Sequence, residues 1–517
     1  MQLFLFLVSV CLLCLTHVCA ERDYVLELAQ AVHRHGARSP VVDHNITEIC
    51  GFEFPCGFLN REGQQQTVQV GHFLRHRYTA DETVVDPTHP FLPDELYNLT
   101  VAYSRSSNVP RTLQSAEGVL RGLFPNMTHY YPAILAETTT TDLLLRADNL
   151  AAIYADTNFA KEELKEVCNP VADAEFPDGT LLNQIAAEVH SDEFCSNPKK
   201  RVSCAKKLCD IGRCYQTTGR LAEDGYPLLR EHLPELCTVA ACVNRFKSSF
   251  NASNPVHVLQ GSRGQVLVQE ILHNARQKMK GKNTYKFMDY STHDSTLRPL
   301  AGTLGDNSDL AMMPTFATTY VFELLRRATA AEGSTEVGDY AMRVKRGHPG
   351  VTPDTNFEFA WDDFELRCMR AAGDVYVAEG NVCPLEDFIR FIDSSKPTNA
   401  AGLCYVDPVL LARMKCPADA EETKEVLNSD CKLYRQQCPS YACGDGYRLD
   451  GVDYGCYKST KSASPGRGVG SLVFFFFLGA ALTIACLYVI KRLYKRSTQN
   501  RYETVATLEE SEVAAVV

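Results

Sequence analysis

Two arginines and a histidine lie close together in residues 34–40, which read Arg-His-Gly-Ala-Arg-Ser-Pro. A guanidinium group suits phosphate because its planar fork donates two parallel, charge-assisted hydrogen bonds. The imidazole of His35 could attack phosphorus and form a covalent phosphohistidine, which divides phosphoryl transfer into two easier steps. Gly36 would let the backbone approach closely, and a backbone carbonyl could hold one imidazole nitrogen while the other faces the substrate. Alone, the segment would also fit an ordinary surface loop.

A second segment, residues 291–296, reads Ser-Thr-His-Asp-Ser-Thr and follows a predicted strand. Ligand sites in open α/β sheets lie at the carboxyl ends of strands. Asp294 could therefore protonate a leaving oxygen, which favours an acidic working pH, and His293 could add positive charge. A third candidate is Arg111, for which the alternative is a surface ion pair at the start of a helix.

Hydrophobic patterning predicts the elements that would position these groups. Predicted strands cover residues 24–32, 101–103, 285–290, 319–325 and 374–378, and predicted helices cover residues 61–78 and 112–123. Helical patterns dominate residues 142–279. This order predicts an α/β sheet that is interrupted by a mostly helical insertion.

Three segments carry a family resemblance: RHGARSP from Arg34, RSSNVPRTLQSA from Arg105 and YSTHDST from Tyr290. In this order they resemble the histidine acid phosphatases of the prostatic and lysosomal type, in the branch of the histidine phosphatase superfamily that includes phytases. The resemblance extends over roughly residues 24–404. It implies a phosphoglycerate-mutase-like α/β sandwich, with a catalytic core of residues 21–141 and 281–403 and a mostly helical cap of residues 142–280.

The resemblance also implies an acid phosphatase that hydrolyses phosphomonoesters, either small molecules or phosphoproteins. His35 would be the phosphorylated nucleophile and Asp294 the general acid. Four residues would hold the phosphoryl oxygens: Arg34, Arg38, Arg111 and His293. No metal ion or other cofactor is implied, because the arginines supply the charge stabilisation. At Ala37, where the prostatic type has an acid, we expect an effect on the leaving-group side and therefore on substrate preference.

Two alternatives stay open at this point. The first is a specialised phosphatase of the same branch, such as a phytase or a lysophosphatidate phosphatase, because the cap residues decide the substrate. The second is a non-catalytic receptor on a phosphatase scaffold. Retention of the nucleophile, the pocket arginines and the acid argues against the second alternative.

The two ends of the chain predict export and membrane anchoring. Residues 3–15 form an apolar run before a small-residue cleavage site, which predicts a signal peptide over residues 1–20 rather than a signal anchor. Residues 469–490 contain no charged residue and would span about 33 Å as a helix, enough to cross a bilayer. The alternative, a buried core helix, rarely lacks a polar face over that length. Basic residues follow, so residues 491–517 are predicted to be cytoplasmic.

This topology predicts a single-pass type I membrane protein with a luminal or extracellular catalytic domain. In the tail, Tyr502 and Val505 fit a Tyr-x-x-hydrophobic sorting signal, which an adaptor could bind as an extended peptide. Such a signal would bring the protein from the cell surface to endosomal or lysosomal membranes. Because the net charge is −11, nucleic acid is not an expected partner.

Cysteine usage agrees with an oxidising compartment. Of 21 cysteines, 17 lie between the predicted signal and span, which predicts about eight disulfides with one cysteine left over. Zinc is the weaker interpretation because the tight Cys-x-x-Cys spacing is missing. The family resemblance favours a Cys168–Cys404 pair, and an unpaired cysteine could link a homodimer. Residues 404–468 are expected to form a cysteine-rich, disulfide-bonded module or stalk, followed by a linker.

Four Asn-x-Ser/Thr sequons would face the glycosylating side of the membrane in this topology. They are Asn45, Asn98, Asn126 and Asn251.

Overall fold

The computed structural model describes residues 23–51, 55–126, 131–150, 161–417 and 427–458. The predicted signal peptide, the predicted span at 469–490, the predicted cytoplasmic tail and the Tyr502 and Val505 motif lie outside these residues. Within the described ranges, no helix is both long and apolar enough to cross a membrane.

Twelve strands occur in the described part of the chain. They are β1 (Tyr24–Arg34), β2 (Ala102–Ser107), β3 (Ile134–Glu137), β4 (Phe287–Thr292), β5 (Thr319–Arg327), β6 (Tyr340–His348), β7 (Ala360–Trp361), β8 (Arg367–Met369), β9 (Val375–Val377), β10 (Val382–Pro384), β11 (Tyr447–Leu449) and β12 (Cys456–Lys458).

The α-helices of the described residues, in chain order, are as follows. They are α1 (Ile46–Cys50), α2 (Arg61–Thr79), α3 (Pro110–Leu123), α4 (Lys161–Glu175), α5 (Thr180–Glu188), α6 (Asp192–Cys195), α7 (Arg201–Thr218), α8 (Pro227–Glu231), α9 (Leu233–Ser248), α10 (Pro255–Gln260), α11 (Gln265–Met279), α12 (Asp294–Thr303), α13 (Asp309–Met312), α14 (Leu385–Asp393), α15 (Pro408–Arg413) and α16 (Ser429–Gln437).

The main sheet has the strand order β10-β6-β5-β1-β4-β2-β3, and β7 pairs with β6. Strands β1, β4, β2 and β3 are parallel, whereas β5, β6 and β10 extend the sheet in antiparallel fashion. The predicted α/β class is therefore confirmed. The strand predicted at residues 374–378 forms outside this sheet, where β9 pairs only with β8.

Both faces of the sheet are covered by helices. On one face, buried residues of α11, α12 and α14 pack with Leu28 and Val32 of β1. On the other face, α2 and α3 pack with Ala29 and Ala31. Leu26 belongs to this second face because a bulge between Leu26 and Leu28 shifts the alternation of side chains by one residue. Strand β1 therefore contributes apolar side chains to the cores on both faces of the sheet.

A separate apolar cluster holds the helical insertion together. Buried residues of α4, α5, α7, α8 and α9 form this cluster, and Ala37 and Phe316 of the core contribute to it. Helix α11 lies within the predicted cap range of 142–280, but its buried face packs on the sheet instead. The insertion proper therefore ends with α9, before the chain returns to the sheet.

Eight disulfides and one free cysteine account for the 17 cysteines, so the predicted count is confirmed. The bridges are Cys50–Cys56, Cys168–Cys242, Cys195–Cys204, Cys209–Cys237, Cys368–Cys383, Cys404–Cys438, Cys416–Cys431 and Cys443–Cys456.

The expected Cys168–Cys404 bridge is wrong. Cys168 lies on α4 and pairs with Cys242 on α9, because these two helices pack side by side and bring the Cα atoms to 5.9 Å. Cys404 pairs with Cys438 within the cysteine-rich segment, at a Cα distance of 5.6 Å. Each cysteine thus bonds to a partner in its own packing unit.

The described part of the cysteine-rich segment packs against the body of the protein. Its apolar residues enclose Leu150, which is fully buried. The Gln437 amide donates to the carbonyls of Thr140 and Asn149 at 2.7 and 3.0 Å. This part is therefore a disulfide-bonded module that is docked on the body of the protein.

Candidate active site

The three predicted chemical segments meet at one edge of the sheet. Strands β1, β4 and β2 are parallel neighbours, and Arg34 pairs in register with Thr292. His35 therefore follows β1 beside His293, which follows β4. The adjacent strand β2 delivers Ser107, and α3 begins at Pro110, whose fixed φ and missing N–H suit the first turn of a helix. The fold thus places the candidate residues at the carboxyl ends of parallel strands.

His35 is 1% exposed and is held in one tautomer by its own loop. Its Nδ1 lies 2.8 Å from the carbonyl oxygen of Gly36, which can only accept, so Nδ1 carries the proton and donates. Nε2 then keeps its lone pair, and no described residue forms a hydrogen bond with it. Burial lowers the pKa of His35 well below its usual value, and the charges of Arg34 and Arg111 lower it further. The ring is therefore a neutral base with a free nucleophilic nitrogen.

Gly36 is required by a close backbone contact with the start of α2. A Cβ at Gly36 would lie 2.2 Å from the carbonyl oxygen of Gly63, and a Cβ at Gly63 would lie 2.0 Å from that of Ala37. Ala37 is fully buried, and its N–H donates to Gln66 Oε1 at 2.9 Å. The methyl group of Ala37 therefore packs into the interior. The expected effect of Ala37 on substrate preference stays a prediction.

Arg34 is fixed from two sides. Its Nη1 donates to the carbonyl of Pro314 at 2.7 Å, and its guanidinium carbon lies 4.3 Å from the ring centroid of Phe316. The ring of Phe316 also lies 5.9 Å from that of His35. Burial lowers the pKa of Arg34 to about 10, so the group is charged throughout the acidic and neutral range.

Arg38 forms a bidentate ion pair with Asp210 of the helical insertion. Nη2 lies 2.8 Å from Oδ1 and Nη1 lies 3.2 Å from Oδ2. Nη1 also lies 3.6 Å from the free thiol of Cys214, one turn further along α7. Burial would lower the pKa of Arg38, but the Asp210 carboxylate outweighs it and raises that pKa above its ordinary value.

Arg111 and His293 contact each other. Arg111 Nη2 donates to His293 Nδ1 at 3.4 Å, and Nη1 donates to the carbonyl of Gly57 at 3.3 Å. Since Nδ1 accepts, the His293 proton is on Nε2, which donates to Ser107 Oγ at 2.8 Å. Burial and the charge of Arg111 hold the pKa of His293 well below its usual value. Without a bound anion, His293 is therefore neutral.

Three arginines near His35 have buried side-chain donors without a partner among the described residues, and their charges all act on that histidine. In the described part of the chain, the Nε atoms of Arg34, Arg38 and Arg111 are buried and have no hydrogen-bond partner. A buried donor without a partner is costly, whereas a tetrahedral oxyanion offers several acceptors at once. The arrangement of three guanidinium groups around His35 therefore fits a phosphoryl group.

Asp294 is the first residue of α12, and its side chain is 35% exposed. Its Oδ2 accepts from Arg298 Nη1 at 2.8 Å, one turn along the same helix. Burial would raise the pKa of Asp294, but the charges of Arg298, Arg34 and Arg38 outweigh it and hold that pKa well below its usual value. Without a bound anion, Asp294 is therefore a carboxylate.

The structure brings together all six predicted residues: Arg34, His35, Arg38, Arg111, His293 and Asp294. It also adds residues that were not predicted from the sequence. Most of these residues lie on one face of α7 in the insertion: Lys206, Asp210, Arg213 and Cys214. Their spacing of three and four residues was a readable signal, because such residues share a helix face. The signal was not used because these residues lie far from the catalytic motifs along the chain.

The structure also shows where the sequon asparagines and the unpaired cysteine lie. The side chains of the four sequon asparagines, Asn45, Asn98, Asn126 and Asn251, are exposed. Cys214, the one free cysteine of the described residues, is 2% exposed and lies inside the site. It is therefore not available to link two copies of the chain, which corrects that expectation.

The α/β fold and this site define a class: enzymes that bind a phosphoryl group among arginines next to a neutral histidine. Comparison with known proteins agrees with that class. The family model of the histidine phosphatase superfamily, branch 2, matches residues 25–345. The chain therefore belongs to the histidine phosphatase superfamily, branch 2.

Individual relatives are acid phosphatases. A lysosomal acid phosphatase of Pongo abelii is 37% identical over 391 residues, which cover 74% of this chain and 80% of that protein. A testicular acid phosphatase of Homo sapiens is 26% identical over 283 residues, and the match spans 53% of this chain and 62% of that protein's length. With the family match, these relatives support a phosphoric monoester hydrolase.

One solved structure extends the likeness of the fold. The phytase of Citrobacter braakii superposes with a TM-score of 0.50 at 14% identity, over 72% of this chain and 98% of that chain. At this identity the likeness concerns the fold alone.

Proposed function

We propose that this protein is an acid phosphatase that hydrolyses phosphomonoesters through a phosphohistidine on His35, with Asp294 as the general acid. The hydrogen bond from His35 Nδ1 to the Gly36 carbonyl carries the proposal. It fixes the tautomer in which Nε2 is the nucleophile, and it does so in the middle of three arginines. At pH 5 an ordinary histidine would be protonated by roughly 30 to 1. The lowered pKa of His35 keeps the ring nucleophilic under acidic conditions.

In the first step, Nε2 of His35 forms a bond to phosphorus while the bond from phosphorus to the leaving oxygen breaks. Asp294 donates its proton to that oxygen, and the product alcohol departs. Arg34, Arg38 and Arg111 stabilise the charge on the phosphoryl oxygens. In the second step, water attacks phosphorus, the Asp294 carboxylate takes its proton, and the bond between phosphorus and Nε2 breaks. The enzyme then returns to neutral His35 and releases inorganic phosphate.

The proton on Asp294 has to arrive with the substrate. In the free site Asp294 is a carboxylate because of Arg298, Arg34 and Arg38. A phosphomonoester has a second pKa of about 6, so below that pH it carries one proton on the phosphoryl group. Its binding cancels part of the arginine charge and raises the pKa of Asp294, which favours transfer of that proton to Asp294. This accounts for an acidic working range.

The proposal is tested with His35→Ala in the purified full-length protein, using 4-nitrophenyl phosphate and glycerol 2-phosphate at pH 5. We expect at least a thousandfold loss of kcat for both substrates, because both steps use Nε2. His72→Ala is the matched control, since His72 is exposed on α2. A His35→Ala protein that hydrolysed both substrates at the rate of the control would disprove the mechanism.

We also propose that the enzyme is a glycosylated, single-pass type I membrane protein with a luminal catalytic domain in the lysosomal and endosomal system. The lysosomal acid phosphatase relatives and the exposed sequons support this location. The proposed span of residues 469–490 and the tail of 491–517 rest on the sequence alone. Alkaline carbonate extraction tests the anchor: the protein should stay in the membrane pellet, and deletion of residues 469–517 should release it.

A further inference from the structure

A small cavity extends from the catalytic acid toward the helical insertion. It has a volume of about 50 Å³, and core residues Arg34, Asp294 and Arg298 line it together with Lys206, Asp210 and Arg213 of α7. It therefore begins on the side of Asp294, where the proposed mechanism places the leaving group. Because it holds only a few heavy atoms, it suits a small group of the substrate.

The charges around this cavity do not balance. Four cations and two carboxylates line it, and both carboxylates are already paired. Asp210 is committed to Arg38 by two hydrogen bonds, and Asp294 is paired with Arg298 at 2.8 Å. Positive charge therefore remains in excess in a half-buried place, where an uncompensated charge is costly.

Lys206 and Arg213 supply this excess. Both side chains are half-buried, and neither forms a hydrogen bond or ion pair with another described residue. Burial and, to a smaller extent, the charges of Arg298 and Lys247 lower the pKa of Lys206 to about 8, whereas Asp294 and Asp210 act in the opposite direction. Arg298 adds a buried Nε for which the described residues provide no hydrogen-bond partner. Three cationic groups therefore line one cavity, and each has N–H donors that no described residue accepts.

We propose that Lys206, Arg213 and Arg298 form a subsite for a second anionic group of the substrate, a carboxylate on the carbon next to the scissile ester. The preferred substrates would be phosphomonoesters of hydroxy acids. This inference rests on the proposed function, because the subsite is defined relative to the leaving group that Asp294 protonates. Lys206 and Arg213 reach the cavity from the insertion, so the insertion determines this specificity.

Two substrates that differ in one group test the subsite: 2-phosphoglycerate and glycerol 2-phosphate. The first carries a carboxylate where the second carries a CH₂OH group. The full-length protein and its Lys206→Met and Arg213→Gln variants are compared by the ratio of kcat/KM for the two substrates, from pH 4 to pH 7. We expect this ratio to exceed one in the unmodified protein and to fall about tenfold in each variant, since each loses a charge-assisted contact with the carboxylate.

The matched control is Lys207→Met. Lys207 is the next residue on α7, but its Nζ points to Asp43 at 3.4 Å and to the ring of Phe194. The ratio in this control should equal that of the unmodified protein. Methionine is close to lysine in length, and Arg213→Gln provides a second, independent variant should Lys206→Met fold poorly.

Two results would overturn the subsite. One is a ratio in both variants that stays within twofold of the Lys207→Met control. The other is an equal loss for both substrates with a displaced pH profile, which would show that these cations act on Asp294 and not on the substrate. Failure of the proposed function gives a different result. In that case His35→Ala would still hydrolyse 2-phosphoglycerate and glycerol 2-phosphate, whatever the ratio of their kcat/KM values.

Discussion

Arg38 and Asp210 are joined by two hydrogen bonds across 172 residues of sequence, with Nη2 to Oδ1 at 2.8 Å and Nη1 to Oδ2 at 3.2 Å. This ion pair links the arginine of the catalytic motif to helix α7 of the insertion. A bidentate pair fixes the plane of the guanidinium group as well as its position. The insertion therefore takes part in orienting a phosphate-binding arginine.

Asp210→Asn should weaken phosphate binding because one amide cannot accept both Arg38 hydrogen bonds. We expect about a tenfold fall in kcat/KM for glycerol 2-phosphate and a similar rise in the inhibition constant of inorganic phosphate. Steady-state kinetics at pH 5 measures both. Asp173→Asn is the control, because Asp173 pairs with Arg201 on the surface of the insertion. An unchanged phosphate inhibition constant in Asp210→Asn would contradict a positioning role.

Asp294→Asn should slow the enzyme according to the leaving group. General acid catalysis contributes about 10²–10⁴-fold where the leaving oxygen needs a proton, so glycerol 2-phosphate should lose that much in kcat/KM. 4-Nitrophenolate leaves without protonation, so 4-nitrophenyl phosphate should lose at least tenfold less. The comparison needs only initial rates at saturating and limiting substrate. Equal losses for the two substrates would show that Asp294 is not the acid.

A buried ion-pair cluster around Glu323 allows the stability of the core to be tested. It is 1% exposed on β5 and accepts from Arg77 at 2.7 and 3.0 Å, from Tyr78 at 3.1 Å and from Arg343. Burial would raise the pKa of Glu323, but Arg77 and Arg343 outweigh it and lower that pKa to about 2. The stabilising charge is therefore fully present above the unfolded value near 4.5 and is lost as the pH falls through about 2.

Glu323→Gln should accordingly lower the free energy of unfolding by about 3 kcal/mol at pH 5, because it leaves Arg343 without its carboxylate and Arg77 with only the longer contact to Asp81 at 3.4 Å. The deficit should shrink as the pH approaches about 2. Urea unfolding at several pH values measures it. Glu117→Gln, which removes an exposed helical pair with Arg121, should cost less than about 0.5 kcal/mol. A loss for Glu323→Gln as small as that of the control would refute the account of the core.

Cys214 should be unreactive in the folded protein. Burial raises the pKa of its thiol to about 12, so almost no thiolate is present at pH 7.5. Alkylation followed by peptide mass spectrometry should label Cys214 only after unfolding without reductant. Cys214→Ser controls for the assignment of the peptide. Rapid labelling in the folded state, or a Cys214 disulfide between chains on a non-reducing gel, would contradict its burial in the site.

Local sequence signals were sufficient for the elements that carry the site. The alternating apolar run of β1 and the periodicity of α2 predicted both elements to within a few residues. The histidine and arginine motifs predicted which side chains would meet, because parallel strands bring their carboxyl ends to one edge. The close contact of Gly36 was also predicted, although its partner, Gly63, was not.

Contacts between distant parts of the chain were beyond this reasoning. Nothing in the spacing of Cys168 distinguishes Cys242 from Cys404, since the pairing depends on how α4 packs against α9. Asp210 resembles any charged residue on a helix until α7 is placed over Arg38. The same holds for Ala37, whose place in the apolar cluster of the insertion depends on how that cluster packs against the motif. Tertiary packing decides each of these cases.

The most direct test of the central claim is chemical trapping of the intermediate. The full-length enzyme is mixed with a phosphomonoester at pH 5 and quenched within milliseconds in alkali, where a phosphoramidate bond to histidine survives. Peptide mass spectrometry then locates the phosphate. Our account predicts a phosphate on His35, formed in a burst no larger than one per active site and missing from His35→Ala. Phosphate on any other residue, or turnover with no trapped phosphate on His35, would contradict it.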